Sequence, residues 1–319
     1  MSASTPRAVD IPALVDDARA GSPRAVARLI SLIEDGHPAL PEVMRALARS
    51  AGTAHIIGLT GAPGVGKSTT TNALVREFRR QGKVVGVLAV DPSSPFSGGA
   101  LLGDRIRMEE HATDRGVFLR SMASRGHLGG LSAAVPQAIR VLDAAGCDVV
   151  LIETVGVGQS EVEIAGLADT SIVLLAPGMG DGIQAAKAGI LEIADVFVVN
   201  KADRDGADQT VRDVRHLIQM GEAAAGGGWR RPVVRTVALT GDGLPELAAA
   251  VSDHRGWLDE RGHLDARRRR RAREEILGLT LARTRRRLEA DHTLDDWVER
   301  VLAGEADSHS AAESLAPGQ

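Results

Sequence analysis

The chain has 319 residues, of which 44% are hydrophobic and 25% charged, so it can bury a substantial core and is not disordered as a whole. With three Trp, four Phe and no Tyr, it lacks the aromatic side chains of a surface that stacks single-stranded nucleic acid. Its net charge of −4 gives no overall attraction to nucleic acid or to anionic membranes. The composition therefore predicts neither partner.

Cysteine content and hydropathy bear on the cellular compartment. The single cysteine, Cys147, excludes an intramolecular disulfide and a cysteine-rich zinc site. No segment approaches the roughly 18 apolar residues that a membrane helix needs. The N-terminal residues lack the apolar stretch of a secretion signal, so we expect a cytoplasmic protein.

Along the first three quarters of the chain, the pattern changes from helices to strands that alternate with helices. Residues 9–50 are predicted to form two or three short helices, with Asp10 and Ser22 at N-cap positions. Runs rich in Val, Ile and Leu then predict strands at 55–60, 84–90, 117–120, 148–153, 171–176, 195–200 and 233–239. Helical stretches separate most of them, at 68–80, 131–145, 183–194 and 209–222. This alternation predicts an α/β fold whose mainly parallel sheet is flanked by helices.

The C-terminal part is helical and rich in arginine. A long helix is predicted over 257–290, with ten arginines between Arg267 and Arg287. We interpret it as a solvated helix that packs through its aliphatic side chains, with a partner-binding or dimer-forming helix as the alternative. A short helix at 294–302 follows. The predicted domains are an N-terminal helical region 1–50, a core 51–255, a helical extension 256–303 and a disordered tail 304–319.

The strongest motif is GAPGVGKS at 61–68, which matches the phosphate-loop pattern G-x-x-x-x-G-K-[ST] between a predicted strand and a predicted helix. Its glycines let the backbone curl until N–H groups point at phosphate oxygens, and the helix adds its positive N-terminal end. Lys67 supplies an ammonium for the β- and γ-phosphates, and the Ser68 hydroxyl is placed to bind Mg²⁺. The predicted phosphate-binding residues are Gly61, Ala62, Pro63, Gly64, Val65, Gly66, Lys67, Ser68 and Thr69.

A second motif, Asn-Lys-Ala-Asp at 200–203, predicts which base is bound. The Asp203 carboxylate can accept hydrogen bonds from the N1–H and the exocyclic amine of guanine, whereas adenine lacks donors in that arrangement. Lys201 can lay its aliphatic stem over the purine, and Asn200 can brace the loop. A backbone N–H for the guanine carbonyl is predicted from Val237, Ala238 and Leu239. Other guanine-binding proteins prefer Ser at the first of these positions, so this chain loses one hydroxyl there. GTP and GDP are the predicted ligands.

Three acids are predicted near the γ-phosphate and its Mg²⁺. Asp91 and Glu153 end strands, where ligands of parallel sheets collect, and Asp104 closes the loop that Asp91 opens. Mg²⁺ keeps several waters, so one or two carboxylates beside Ser68 suffice. Loop capping by Asp91 and helix capping by Asp104 stay open as alternatives. The predicted metal ligands are Ser68, Asp91, Asp104 and Glu153.

Hydrolysis is predicted to be slow and to depend on a partner. Gly156 can give its backbone N–H to the γ-phosphate and move when that phosphate leaves. No glutamine follows Gly156 to position the attacking water, so a partner would have to complete the site. The predicted catalytic residues are Lys67, Asp91, Asp104, Glu153 and Gly156.

Five strings, taken in chain order, resemble the MeaB/ArgK-type GTPases, which are G-protein chaperones of B12-dependent methylmalonyl-CoA mutase. The strings are GLTGAPGVGKST, AVDPSSPFSGGALLGDRIRM, IETVGVGQSE, APGMGDGIQAAKAGILEIAD and NKAD, and the resemblance covers about 10–300. It implies a P-loop NTPase core of the SIMIBI type, N-terminal helices and a C-terminal extension that forms a homodimer. It also implies that residues 177–188 act as a switch toward the mutase.

The resemblance implies a GTP hydrolase that protects and reactivates an acyl-CoA mutase and gates its loading with adenosylcobalamin. Two alternatives stay open. A GTPase that matures nickel enzymes shares this subclass of phosphate loop, but it needs clustered His or Cys ligands, whereas the nine His of this chain are scattered. A nucleotide-gated scaffold would bind GTP to order a dimer without hydrolysing it.

Overall fold

The computed structural model describes residues 9–48, 52–92, 109–111, 113–124, 134–154, 160–178, 193–222 and 228–316. Its strands are β1 (His55–Thr60), β2 (Val85–Pro92), β3 (Val117–Ser124), β4 (Val149–Thr154), β5 (Thr170–Leu175), β6 (Val196–Asn200) and β7 (Val233–Thr236). They form one seven-stranded parallel sheet in the order β3-β2-β4-β1-β5-β6-β7. The predicted α/β class with a mainly parallel sheet is therefore confirmed.

Helices precede, connect and follow the strands. They are α1 (Ile11–Arg19), α2 (Pro23–Glu34), α3 (Leu40–Leu47), α4 (Lys67–Arg80), α5 (Ala134–Ala144), α6 (Ser160–Leu167), α7 (Ala207–Glu222), α8 (Leu244–Glu260), α9 (His263–Glu289), α10 (Thr293–Leu302) and α11 (Ser308–Leu315). The first two begin at the predicted caps, because Asp10 accepts from the N–H of Ala13 at 3.1 Å and Ser22 from that of Ala25 at 3.4 Å. No helix among the described residues is long and apolar enough to span a bilayer.

Alternation along the strands divides the core between the two faces of the sheet. In β1, Ile56 packs in a cluster with apolar residues of α1, α2, α3, α5 and α6. Ile57 and Leu59 pack in another cluster, with residues of α4 and α8. Because side chains on a strand point alternately to opposite faces, the central strand is covered on both sides. This arrangement fixes the end of β1, from which the phosphate loop leaves.

Several strands end at other residues than the sequence predicts. Strand β7 ends at Thr236 and not at 239, because the N–H of Val237 donates to the carbonyl of Asp242 at 3.0 Å and closes a turn. Strands β2 and β3 run further than predicted, to Pro92 and Ser124. Most of the helix predicted at 183–194 lies outside the described residues.

The compact units of the structure divide the chain at other positions than the predicted domains, which stay predictions. Helices α1 to α3 belong to one compact unit with the sheet, Met1–Arg268, because they share its apolar core. The second unit is Arg269–Gln319, so the division falls after Arg268 and not at 255/256. Arg267 and Arg268 explain the shift, since they hydrogen-bond to Asp195 and to the carbonyl of Gly52 in the first unit.

The C-terminal secondary structure differs from the prediction in two places. The long helix predicted over 257–290 is present as α9, His263–Glu289, but it starts only after Gly262, whose φ of +68° is left-handed and separates it from α8. The tail predicted as disordered over 304–319 contains α11. This helix forms because the Asp307 carboxylate accepts from the N–H groups of His309 and Ser310, at 2.8 and 3.1 Å.

Candidate nucleotide site

The phosphate loop, residues 61–66, joins the end of β1 to the first turn of α4. A Cβ at Gly61, where φ is +144°, would collide with the carbonyl oxygen of Leu174, and one at Gly66 with the side-chain amide of Asn200. Gly66 is the N-cap of α4 at φ +97° and provides no side-chain hydrogen bond. The first N–H groups of a helix have no partners within it, so the loop leaves donors for an anion.

Lys67 opens α4 and turns its side chain back over its own loop. Its ammonium donates to the carbonyl of Gly61 and, at 3.2 Å, to that of Ala62. The residue is 9% exposed. An ammonium binds a phosphate favourably, because hydrogen bonds to a charged acceptor are stronger than those to a neutral carbonyl.

Glu153 lies beside the phosphate loop at the end of β4. In the sheet it is paired with Leu59 of β1 on one side and with Ala89 of β2 on the other. The Ser68 hydroxyl donates to its Oε1 at 3.2 Å, and the Thr71 hydroxyl donates to its Oε2 at 2.6 Å. The structure therefore brings Ser68 and Glu153 together.

Thr71 was not among the predicted site residues, although its hydroxyl contacts Glu153. It lies three residues after Ser68, so both hydroxyls lie on one face of α4. That spacing in the run of threonines after Lys67 was the available signal, but only the structure shows that this face meets Glu153.

Asn200 connects the two motifs. Its Nδ2 donates to the carbonyl of Val65 in the phosphate loop at 2.8 Å. Its Oδ1 accepts from the Thr236 hydroxyl at 3.2 Å and from the N–H of Ala238 at 3.1 Å. The N–H of Ala238, a candidate for the guanine carbonyl, is thus directed at Asn200 in the structure, and the neighbouring Leu239 is 83% exposed.

Lys201 makes a second link between the motifs. Its ammonium donates to the carbonyl of Gly64 at 2.6 Å, so its aliphatic stem extends from the end of β6 to the phosphate loop. The residue has φ +57°, which directs the chain sharply out of the strand. The next N–H, of Ala202, donates to the carbonyl of Thr236 at 3.1 Å, and Asp203 is exposed.

The remaining predicted site residues are only partly described. Asp91 lies near the end of β2, two positions beyond the residue paired with Glu153, at the same edge of the sheet. Asp104 and Gly156 lie outside the described residues, as does most of the predicted switch at 177–188.

The donor set fits a nucleotide phosphate with Mg²⁺. Glycine N–H groups and an ammonium suit phosphate oxygens, and the hydroxyl of Ser68 with the carboxylate of Glu153 offers the hard oxygen atoms that Mg²⁺ prefers. In the described part of the chain, no three His, Cys, Asp or Glu side chains are grouped to hold a metal. A metal held by these residues would therefore also need hydroxyl, water or phosphate oxygens.

A second polar cluster, which the sequence did not predict, lies at the amino ends of the strands, on the side of the sheet away from the phosphate loop. We call it the basal network, made up of His55, Asp169, Thr170, Asp195, His254, Arg255, Arg267 and Arg268. The Thr170 hydroxyl lies 2.7 Å from His55 Nε2 and 2.8 Å from His254 Nδ1. Arg267 binds both oxygens of Asp195, at 2.7 and 2.8 Å.

Burial and neighbouring charges shift the pKa values of two groups in the basal network. Burial alone would raise the pKa of Asp195, but hydrogen bonds from Arg267 and His254 outweigh it and lower the pKa to about 2. Burial, aided by the positive charge of Arg255, lowers the pKa of His55 to about 3. At neutral pH, Asp195 is therefore ionised and His55 neutral.

The chain is similar to known proteins over most of its length. The model of the family described as "Methylmalonyl Co-A mutase-associated GTPase MeaB" matches residues 26–293. A Pyrococcus horikoshii relative is 47% identical over 302 residues, covering 94% of this chain and 95% of its own. The mouse protein named "Methylmalonic aciduria type A homolog, mitochondrial" is 38% identical over 219 residues, covering 66% of this chain and 52% of its own.

A solved structure supports the fold over almost the whole chain. The crystal structure titled "LAO/AO transport system kinase" superimposes with a TM-score of 0.69 at 28% identity and covers 98% of each chain. The parallel sheet, the phosphate loop after β1 and this likeness together identify the fold as that of a P-loop GTPase.

Proposed function

Because this chain belongs to the MeaB family of methylmalonyl Co-A mutase-associated GTPases, we propose that it binds GTP with Mg²⁺ and hydrolyses it slowly to regulate a B12-dependent acyl-CoA mutase. The observation that carries the proposal is the double link between the motifs. Asn200 bonds to Val65, and Lys201 bonds to Gly64. A base-binding loop fastened to a phosphate-binding loop is what a site for a whole nucleotide requires.

The proposed roles follow the chemistry of each side chain. The amides of residues 61–69 bind the phosphates, and the Lys67 ammonium leaves the carbonyls of its loop for the β- and γ-phosphates. Asp203 accepts from guanine, with the stem of Lys201 against the purine face and a backbone N–H from 237–239 on the carbonyl.

The proposed metal site lies between the ends of β1, β2 and β4. Ser68 and Glu153 would hold Mg²⁺ directly or through water, with Asp91 and Asp104 completing the acidic set. The bound ion supplies positive charge that offsets the negative charge of the β- and γ-phosphates. Gly156 would sense the γ-phosphate through its N–H.

The client is proposed from the family description, which names methylmalonyl-CoA mutase. In the proposal, GTP and GDP states protect and reactivate the mutase and gate its loading with adenosylcobalamin in the cytoplasm. A homodimer is proposed through the second unit, in which Ile276, Leu281 and Leu302 are 64%, 69% and 76% exposed. Covering these apolar side chains in a second copy would remove them from water.

Phosphate release tests the proposal. The protein is incubated with GTP and Mg²⁺, alone and with a purified adenosylcobalamin-dependent acyl-CoA mutase, with Lys67→Ala as the inactive control. We expect slow release that the mutase accelerates. GTP binding without any release, even with the mutase, would instead support the nucleotide-gated scaffold. Nickel bound at sub-micromolar concentration would support the maturation alternative.

A further inference from the structure

Thr71 lies next to the proposed metal site without belonging to any known part of the motif. It is 0% exposed, and its hydroxyl oxygen lies 2.6 Å from Oε2 of Glu153 and 3.1 Å from the carbonyl of Lys67. A hydroxyl has one proton to donate. The carboxylate is charged and closer, so it takes that proton, while the carbonyl of Lys67 is the weaker acceptor.

Glu153 needs such a donor because it is only 1% exposed. A buried carboxylate is stable only when its oxygens are hydrogen-bonded. Ser68 donates to Oε1 and Thr71 to Oε2, so two hydroxyls from one helix face fix the position and the rotation of the carboxylate. A carboxylate held by both oxygens cannot rotate about its terminal bond without breaking one of the two contacts.

The orientation of the Ser68 hydroxyl follows from this arrangement. Its proton points to Glu153, so its lone pairs are free to face a cation at the mouth of the phosphate loop. If Glu153 turned away, the hydroxyl proton could rotate toward the cation. Residues that orient metal ligands in this way usually change metal affinity by about 10- to 100-fold when they are removed.

We infer that Thr71 is a positioning residue for Mg²⁺: its hydroxyl holds Glu153, and through Glu153 it orients the Ser68 hydroxyl toward the ion. This inference rests on the proposed nucleotide function. It predicts that loss of the hydroxyl weakens Mg²⁺-dependent nucleotide binding and leaves Mg²⁺-independent binding unchanged.

The chain offers a matched control in the preceding residue. Thr70 is also 0% exposed, and its hydroxyl has no hydrogen-bond partner among the described residues. Thr70→Val and Thr71→Val therefore make the same chemical change one position apart on the same buried helix turn. Thr71→Ser keeps the hydroxyl and tests for rescue.

The experiment measures binding of a fluorescent GDP analogue as Mg²⁺ is titrated, with EDTA for the metal-free value. For Thr71→Val, we expect the Mg²⁺ concentration at half-saturation to rise by roughly 10-fold or more, with the affinity in EDTA unchanged within about twofold. Thr70→Val and Thr71→Ser should match the wild type. If Thr71→Val does not fold, Thr71→Ala removes the same hydroxyl without adding a methyl group in its place.

The possible outcomes distinguish a failure of this inference from a failure of the proposed function. Wild-type half-saturation in a folded Thr71→Val or Thr71→Ala variant would overturn the inference and leave the proposed function standing. An equal rise in Thr70→Val would also overturn it, because the effect would then be one of packing. If the wild-type protein itself binds no guanine nucleotide, the proposed function fails and the inference falls with it.

Discussion

The contact between Arg267 and Asp195 gives the most quantitative prediction. We consider Arg267→Met, which keeps an unbranched apolar stem and removes the guanidinium. The variant loses the two hydrogen bonds to the carboxylate, at 2.7 and 2.8 Å, and a third to the carbonyl of Asp169 at 2.8 Å. The Asp195 side chain is only 10% exposed, so water replaces these donors poorly.

The size of the expected loss in the free energy of unfolding depends on the partners that the Asp195 carboxylate keeps. Removal of one partner of a buried ion pair typically costs about 3–5 kcal/mol. Asp195 still accepts from the N–H of Ser171 at 2.8 Å and lies 3.3 Å from Nε2 of His254. We therefore expect the low end of the range, a loss of about 3 kcal/mol in the free energy of unfolding.

Urea unfolding of the ligand-free protein measures this loss. Trp229 is a local fluorescent probe, because its indole N–H donates to the carbonyl of Asp195 at 2.8 Å. Arg235→Met is the matched control, since its ion pair with Asp208 is about as short, 2.6 Å, but 51% and 68% exposed. The control should cost at most about 1 kcal/mol.

A double-mutant cycle with Asp195→Asn distinguishes a lost ion pair from lost packing. The double variant should be less destabilised than the sum of the single variants, by about 1–3 kcal/mol, because no unpaired charge is left buried. A loss in Arg267→Met no larger than that in Arg235→Met, or strict additivity in the cycle, would refute the argument.

Three further predictions concern the nucleotide site and pH. Lys67→Ala should weaken GTP binding by roughly 100-fold or more while the circular dichroism spectrum stays unchanged, and wild-type affinity would contradict the role of the ammonium. Asp203→Asn should shift preference from guanine toward xanthine nucleotides in a competition assay, because the amide replaces one acceptor with a donor; an unchanged guanine preference would contradict it. The pKa of His55 is lowered to about 3, so below pH 6.5 the unfolded chain binds a proton that the folded chain does not. The free energy of unfolding should therefore fall between pH 6.5 and 3, by up to about 1.4 kcal/mol per pH unit, and His55→Gln should remove this part of the slope in urea titrations. A wild-type slope in His55→Gln would assign it to other groups. Below pH 3.8, protonation of Asp195, whose pKa is lowered to about 2, should remove further stability.

The fold class could be predicted from the sequence because local patterns determine it. Strands β4 and β5 are buried on both faces, so the nearly continuous Val, Ile and Leu of the predicted runs 148–153 and 171–176 distinguish them from amphipathic helices. The phosphate loop is equally local, since its glycines and lysine must be adjacent to curl around an anion. The proposed roles of its residues stay predictions.

What could not be predicted depends on contacts between distant residues. In the sequence, nothing distinguishes Thr71 from the other threonines of α4. Its role depends on the packing of α4 beside β4, which brings its hydroxyl to Glu153. The basal network joins residues as far apart in sequence as His55 and Thr170, and no motif marks them. The helix α11 was missed for a different reason: a polar composition suggests disorder, but Asp307 alone supplies the cap that starts a helix.

The central claim is that one site binds the phosphates and recognises guanine. The most direct measurement is displacement of a fluorescent GDP analogue by GTP and by ATP in the presence of Mg²⁺. We expect GTP to displace it at a concentration at least about 100-fold lower than ATP, because adenine leaves the Asp203 carboxylate without donors. Displacement by both nucleotides at similar concentrations, or no binding of the GDP analogue at all, would contradict the claim.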